Sequence, residues 1–274
     1  VKRIILAREL SLNEIKEIRQ NTPDDLQLEI FVHGAMCMSY SGRCLLSSYM
    51  AGRDSNRGLC AQPCRWKYYL VEEKRPGEYM PVYENDRGTY IFNSKDLNML
   101  EYIPEILDAG ITSLKIEGRM KSSFYVATVV KAYREAIDSY CENPDKYVFR
   151  KEWMEEVCKV SHREYSTGFY FGESKNKGQI YKYSSYIREY EFIGMVLDYD
   201  KSTRIAKVEQ RNKMNVGDEI EVVSPGKDFF VQKITEMRNE DGESIESAPH
   251  PQMIVYMPME QEVGKYTMLR KKSK

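Results

Sequence analysis

The chain has 274 residues, of which 42% are hydrophobic and 30% are charged, and its formal net charge is −1. This composition predicts a globular protein with a substantial core, and it excludes a disordered chain and a uniformly basic nucleic-acid-binding protein. No run approaches the roughly 18 apolar residues of a membrane span, and the first apolar run is too short for a secretory signal. We therefore expect a cytoplasmic protein without a membrane partner. Because the chain starts at Val1 rather than at Met, we also expect a fragment.

The first 33 residues predict a strand–helix–strand unit. Residues 3–9 form an apolar run that ends in charge, and Ser11 followed by Glu14 is the pattern of a capping box at the start of a helix. Residues 26–33 alternate apolar and polar side chains with the period of a strand. A helix that connects two strands in this way favours parallel pairing, so we expect an α/β fold.

A cysteine-rich segment at residues 34–88 interrupts this pattern. It contains Cys37, Cys44, Cys60 and Cys64, which are separated by 6, 15 and 3 residues. This spacing matches neither a common zinc finger nor a CxxC redox pair. Four clustered thiolates can bind a structural zinc or an iron–sulfur cluster, and four ordinary cysteines remain the alternative.

The rest of the chain predicts a second regular block and then a small β domain. Residues 89–92 predict a short strand, residues 94–110 a helix that ends at Gly110, and residues 111–116 a strand. A longer helix follows from Ser122 or Ser123 to about Tyr140. From residue 191 onward, short alternating strands between turn signals predict an all-β barrel over residues 191–270. Residues 146–190 are interpreted as a connector, and the basic tail at 270–274 is expected to fray.

Several motifs identify a resemblance to a known family. They are EIFVHGAMC at residues 29–37, SGRCLLS at 41–47, GRDSNRG at 52–58, NSKDL at 93–97, KIEGRMK at 115–121 and SHREY at 161–165. Together and in this order they closely resemble the signature of the peptidase U32 family, the collagenase-like proteins. The resemblance extends over essentially the whole chain.

The resemblance implies a (β/α)8 TIM-like barrel that carries the cysteine-rich insertion, followed by a small β-barrel similar to those of translation factors. Only the last three barrel strands are recognisable, near residues 3–9, 26–33 and 111–116. We therefore expect residues 1–145 to be the C-terminal part of such a barrel. A partial barrel exposes a sheet edge, so we also expect a missing N-terminal segment or a partner protein to complete it.

The resemblance implies two enzymatic activities, proteolysis and RNA hydroxylation. The second modifies a tRNA wobble uridine or an rRNA cytidine, with an iron–sulfur cluster and prephenate-linked chemistry implied. Neither an HExxH helix nor a GxSxG elbow is present in the sequence. We favour RNA hydroxylation, with tRNA or rRNA as the partner. A peptidase that pairs His33 with Cys37 and a non-catalytic RNA- or ribosome-associated protein remain alternatives.

The resemblance also assigns candidate site residues, because TIM-barrel active sites lie at the C-terminal ends of the strands. A 4Fe–4S cluster, or zinc as the alternative, would be ligated by Cys37, Cys44, Cys60 and Cys64. Proton transfer is assigned to Glu9, His33, Glu117 and Lys121, and binding of carboxylates or phosphate to Arg53, Arg57 and Arg119. Structural roles remain the alternative for some of these residues. Glu9 and Glu117 would then form simple ion pairs with Arg8 and Lys115, and His33 would make hydrogen bonds within its loop.

Overall fold

The computed structural model describes residues 1–37, 40, 43–66, 69–70, 73–74, 80–81, 94–172 and 187–273. The chain divides into two compact units. The first unit comprises Val1–Ser122, Ala132–Met154 and His162–Ile187, and the second comprises Ser123–Lys131, Glu155–Ser161 and Arg188–Lys274. Within the described ranges, every helix is too short or too polar to traverse a lipid bilayer.

Both strands and helices occur in the described part of the chain before residue 188. The strands are β1 (Arg3–Ile5), β2 (Gln27–Ala35), β3 (Tyr69–Leu70), β4 (Met80–Pro81), β5 (Asp96–Asn98), β6 (Ser113–Ile116) and β7 (Tyr165–Ser166). The α-helices are α1 (Leu12–Gln20), α2 (Leu46–Ala51), α3 (Ile103–Asp108), α4 (Ser123–Glu142) and α5 (Lys151–Cys158). Short 3₁₀ turns cover Ser55–Arg57, Pro63–Arg65, Leu100–Tyr102 and Pro144–Lys146.

Strand β2 is the centre of the sheet in the first unit. β1 pairs with it in parallel along one edge and β6 along the other, so that Glu29 faces both Ile5 and Ser113. This confirms the predicted parallel strand–helix–strand unit. The predicted capping box is also confirmed, because the Ser11 backbone N–H donates to Glu14 at 2.7 Å and the Glu14 N–H donates to the Ser11 hydroxyl at 3.3 Å.

Strand β5 replaces the start of a predicted helix. The prediction of a helix from residue 94 was wrong there, since Asp96–Asn98 pairs antiparallel with the end of β2 and parallel with β7. The reason is tertiary: the Asp96 carboxylate accepts the backbone N–H of Arg163 at 3.1 Å, and strand pairing overrides a local helical pattern. The helix α3 begins only at Ile103. The strand predicted at residues 89–92 lies outside the described residues.

The core of the first unit lies on one face of β2 and against α3. Its fully buried members include Leu28, Ile30, Val32, Met99, Leu100, Ile103 and Ile106. The predicted long helix is confirmed as α4, which the 3₁₀ turn at Pro144–Lys146 follows. The described residues of this unit form a mixed sheet in which β1, β2 and β6 run parallel, and the complete TIM-like barrel stays a prediction.

The second unit is a curled, mainly antiparallel sheet. Its strands are β8 (Tyr190–Asp200), β9 (Ile205–Gln210), β10 (Met214–Asn215), β11 (Glu219–Val223), β12 (Phe230–Lys233), β13 (Ser247–Ala248), β14 (Ile254–Pro258) and β15 (Met268–Lys272). Six strands pair in the order β12-β11-β15-β8-β9-β14, while β10 pairs with β13. Gln232 on β12 donates to the Pro258 carbonyl at 3.1 Å and accepts the Glu260 N–H at 3.0 Å, which ties the two edge strands together.

The basic tail contains an inner strand of this sheet, so the expectation that it frays was wrong. β15 lies between β11 and β8, and the Arg270 side chain is 0% exposed. Its guanidinium donates to both carboxylate oxygens of Glu156 at 2.8 and 2.9 Å and to Glu221 at 2.7 Å. Charge alone predicted exposure, whereas two carboxylates supplied by other elements allow the arginine to be buried.

Candidate functional site

His33 lies near the C-terminal end of β2 and is 1% exposed. Its Nδ1 lies 3.4 Å from the Tyr133 hydroxyl and its Nε2 lies 3.5 Å from the Tyr165 hydroxyl. Burial lowers the pKa of His33 to about 3, against the opposing effect of the Asp96 carboxylate. The imidazole is therefore neutral at physiological pH, where a group with this pKa is a weak base.

The side chains around His33 form a cluster that sequence reasoning did not assemble. Asp96 is buried on β5, and the His162 ring stacks on the Tyr165 ring with 4.7 Å between their centroids. The Tyr133 hydroxyl donates to the Val32 carbonyl at 2.7 Å, which places it at the end of β2. The motifs at residues 93–97 and 161–165 contain three of these residues and were the signal that could have identified them.

Arg8 follows β1 and packs on an aromatic ring. Its guanidinium carbon lies 3.7 Å from the centroid of the Phe31 ring, and one of its nitrogens lies 3.9 Å from a Glu117 carboxylate oxygen. Burial lowers the pKa of Arg8, although Glu117, Cys37 and Glu9 favour its charged form. Arg8 therefore pairs loosely with Glu117, one of the two carboxylates considered from the sequence as ion-pair partners.

Lys115 on β6 lies beside the same ring. Its Nζ lies 5.2 Å from the Phe31 centroid and 3.4 Å from a Glu29 carboxylate oxygen. Burial opposes the ionisation of Glu29, but hydrogen bonds from Ser113 and Lys115 lower its pKa overall. Lys115 therefore pairs with Glu29 rather than with Glu9 or Glu117, the two carboxylates considered from the sequence.

Gly34 brings the end of β6 close to the end of β2. Its φ is +106°, and a Cβ at this position would lie 2.3 Å from the carbonyl oxygen of Glu117. The Glu117 N–H donates to the His33 carbonyl at 2.9 Å, and the Glu117 carboxylate accepts the Arg119 N–H at 3.1 Å. The glycine thus positions Glu117 beside the residues at the end of β2.

The four residues predicted to transfer protons lie at one end of the parallel strands. His33 is on β2, Glu9 follows β1, and Glu117 follows β6. Lys121 lies in the turn before α4, and its charge helps to lower the pKa of His33. Their assignment as catalytic residues stays a prediction.

The three arginines predicted to bind anions occupy different surroundings. Arg119 donates to the carbonyl of Cys60 and so connects the turn after β6 to the cysteine-rich loop. The Arg57 side chain is 82% exposed, with its Nε 3.5 Å from Asp54. Arg53 is half-buried. Only Arg119 therefore joins the loop to the carboxyl ends of the strands through a described hydrogen bond.

The four clustered cysteines all belong to the described residues. Cys37 is exposed, Cys64 is buried, and Cys60 accepts the Gln62 N–H on its sulfur at 3.2 Å. In this part of the chain, no three Cys, His, Asp or Glu side chains are close enough together to bind a metal ion. As they are arranged here, the thiols do not fit an iron–sulfur cluster or a zinc ion, and their role as ligands stays a prediction.

Comparison with known proteins assigns both parts of the chain to one family. Residues 1–180 match the description "Peptidase family U32", and residues 188–270 match "Peptidase family U32 C-terminal domain". A solved C-terminal domain of a putative U32 peptidase from Geobacillus thermoleovorans is 42% identical, covering 30% of this chain and 99% of that chain with a TM-score of 0.29.

Three curated relatives resemble most of the chain. The "tRNA hydroxylation protein P1" of Bacillus subtilis is 41% identical over 98% of this chain and 63% of its own length. The "tRNA hydroxylation protein P" of Escherichia coli is 36% identical over 95% of this chain and 65% of its own length. A "Collagenase" of Porphyromonas gingivalis is 32% identical over 92% and 62%, respectively. The chain thus spans less than two thirds of the length of these relatives, and it belongs to peptidase family U32.

Proposed function

We propose that this chain takes part in the hydroxylation of a tRNA base. The observation that carries the proposal is its 41% identity, over 98% of the chain, to a protein named for tRNA hydroxylation. The positions of Arg8, His33 and Glu117 at the carboxyl ends of parallel strands support an enzymatic role, because α/β enzymes place their active sites at such ends.

The finer assignments rest on the family resemblance. The modified base is a wobble uridine, with an rRNA cytidine as the alternative, and prephenate is the co-substrate. We place this reaction in the cytoplasm, where tRNA is available. Four thiols within 28 residues are a donor set suited to a 4Fe–4S cluster, which supplies one-electron chemistry when bound. Among the described residues, these thiols do not lie together at one point.

The described residues themselves can bind and orient a substrate. Neutral His33, held between two tyrosine hydroxyls, acts as a fixed hydrogen-bonding group rather than as a general base. Glu9 and Glu117 supply carboxylates for proton transfer at the same end of the sheet. Arg119 joins the cysteine-rich loop to this end through the Cys60 carbonyl.

Nucleoside mass spectrometry tests the proposed reaction. A strain that lacks the full-length protein should lose one hydroxylated uridine from its tRNA, and expression of the wild-type protein should restore it. An unchanged tRNA nucleoside profile in the deletion strain would refute the proposal. Loss of a hydroxylated rRNA cytidine instead would select the alternative substrate.

Metal analysis tests the cofactor separately. Protein purified without oxygen should contain about four iron atoms and matching sulfide, and Cys37→Ser or Cys64→Ser should remove both. Cys141→Ser is the control, since Cys141 is exposed on α4 and lies outside the cysteine-rich segment. Stoichiometric zinc without iron would exclude the redox cofactor.

Peptidase activity is the second candidate, and the relatives named collagenase favour it. A Cys37–His33 dyad needs a histidine that accepts a proton near neutral pH. The low pKa of His33 makes it poorly suited to this task. Cleavage of collagen-derived peptides by the purified chain, abolished by Cys37→Ser, would favour this candidate over tRNA hydroxylation.

A further inference from the structure

We infer that Arg8 and Lys115, which both lie beside the Phe31 ring, form a binding site for the oxyanion of a small molecule. The site lies in the first unit, after β1 and on β6. It deepens the proposed function, on which its biological meaning rests, by assigning the side chains that bind an anionic group of the co-substrate. The oxyanion is a carboxylate or a phosphate group.

The geometry of Arg8 leaves its hydrogen-bond donors available. A guanidinium carbon 3.7 Å from the Phe31 centroid is a stacked arrangement, in which the ring covers one face of the guanidinium. The five N–H donors of arginine lie in the guanidinium plane, so stacking does not use them. Among the described residues, the guanidinium has the Glu117 carboxylate at 3.9 Å as its ion-pair partner and makes no hydrogen bond.

That ion pair is too long to satisfy the mostly covered guanidinium of Arg8. A charge-assisted hydrogen bond between a guanidinium and a carboxylate is about 2.7–2.9 Å long, roughly 1 Å shorter than the distance here. The Arg8 side chain is only 16% exposed, so water solvates it poorly. A buried charge without hydrogen bonds costs free energy, and an oxyanion in the guanidinium plane would remove that cost.

The Phe31 backbone is held in place, and strand pairing sets a second cation beside it. Phe31 pairs with Lys115 across the parallel strands β2 and β6, and its carbonyl accepts the Tyr170 hydroxyl at 2.5 Å. The Lys115 Nζ lies 3.4 Å from Glu29, and a lysine ammonium has three donors. Lys115 can therefore keep Glu29 as its partner and still donate to a ligand.

The exposure of the arginines favours a small ligand over an RNA backbone. Backbone phosphates are bound by accessible cations, such as Arg57 with 82% of its side chain exposed. Arg8 has 16% exposure and is covered by Phe31 on one face. A free carboxylate or phosphate can reach such a partly covered guanidinium more readily than a polynucleotide chain.

Isothermal titration of the purified full chain tests the inference, with malonate and inorganic phosphate as separate probes. We expect saturable binding of at least one probe, and the better probe identifies the oxyanion. Arg8→Gln should weaken it about tenfold or more, because it removes charge-assisted hydrogen bonds. Arg134→Gln removes an exposed arginine on α4 and should leave binding unchanged.

A second variant covers the case in which Arg8→Gln does not fold. Arg8→Lys keeps the positive charge but loses the planar donor pair, so it should weaken binding about three- to tenfold. Absence of binding for both probes, or equal binding by wild type and Arg8→Lys, would overturn the inference. The titration contains no RNA, so its failure leaves the tRNA proposal standing, while the nucleoside analysis tests that proposal alone.

Discussion

Replacement of Gly34 by alanine tests how the carboxyl ends of β2 and β6 are brought together. A φ of +106° is unfavourable for any residue with a Cβ, which costs about 1–2 kcal/mol. The added Cβ would lie 2.3 Å from the Glu117 carbonyl oxygen, which is backbone and cannot rotate away. Relief requires the Glu117 peptide to move by roughly 1 Å, and such overpacking costs about 1–3 kcal/mol.

We therefore expect Gly34→Ala to lower the free energy of unfolding of the first unit by about 2–5 kcal/mol. Gly52→Ala is the matched control: its φ is +62°, and no atom lies within 4 Å of the added Cβ. The control isolates the cost of the backbone conformation, about 1–2 kcal/mol.

Urea unfolding followed by tryptophan fluorescence measures this difference. Both tryptophans, Trp66 and Trp153, lie in the first unit, so their emission reports on the unit that contains Gly34. Equal unfolding midpoints for Gly34→Ala and Gly52→Ala would show that the close approach of the Glu117 carbonyl adds no destabilisation, and this result would refute the prediction.

Three further predictions concern buried charge, pH and RNA. Arg270→Met should destabilise the second unit by about 3–5 kcal/mol in thermal melts, because Glu156 and Glu221 lose their shared guanidinium. The control is Arg238→Met at an exposed site, which should change stability by less than about 0.5 kcal/mol. Between pH 6.5 and about 3, the unfolded chain binds a proton at His33 that the folded chain does not bind. The free energy of unfolding should therefore fall as the pH is lowered, by up to about 1.4 kcal/mol per pH unit. His33→Gln should show a shallower pH dependence in urea titrations, and identical slopes would contradict the buried neutral imidazole. Filter binding to tRNA should weaken steeply with added salt if phosphate contacts dominate, and salt-independent affinity would argue against them.

Local sequence patterns were sufficient to predict several helices and strands of the first unit. The Ser11–Glu14 capping box involves residues three apart, and the structure forms it as predicted. The strand period at residues 26–33 and the long helix after Ser122 were likewise recognised from neighbouring residues. Such elements are predictable because caps and amphipathic periods depend on interactions within a few residues.

Other features depend on distant partners. Asp96–Asn98 is a strand because β2 and β7 pair with it, although its local sequence resembles a helix. The motifs identified His33 as a site residue but could not show its partners. Its Nε2 contacts the hydroxyl of Tyr165, which is 132 residues away in the sequence.

By itself, the sequence determined the family, the parallel strand–helix–strand unit and the β character of the second unit, since each is encoded in short motifs or local periods. Only the tertiary structure decided that Arg270 is buried, that Arg8 stacks on Phe31 and that His33 is held neutral. The physical reason is that the cost of burying a charged or ionisable group depends on the dielectric and the partners around it. Residues far apart in the chain supply both, and they meet only when the chain has folded.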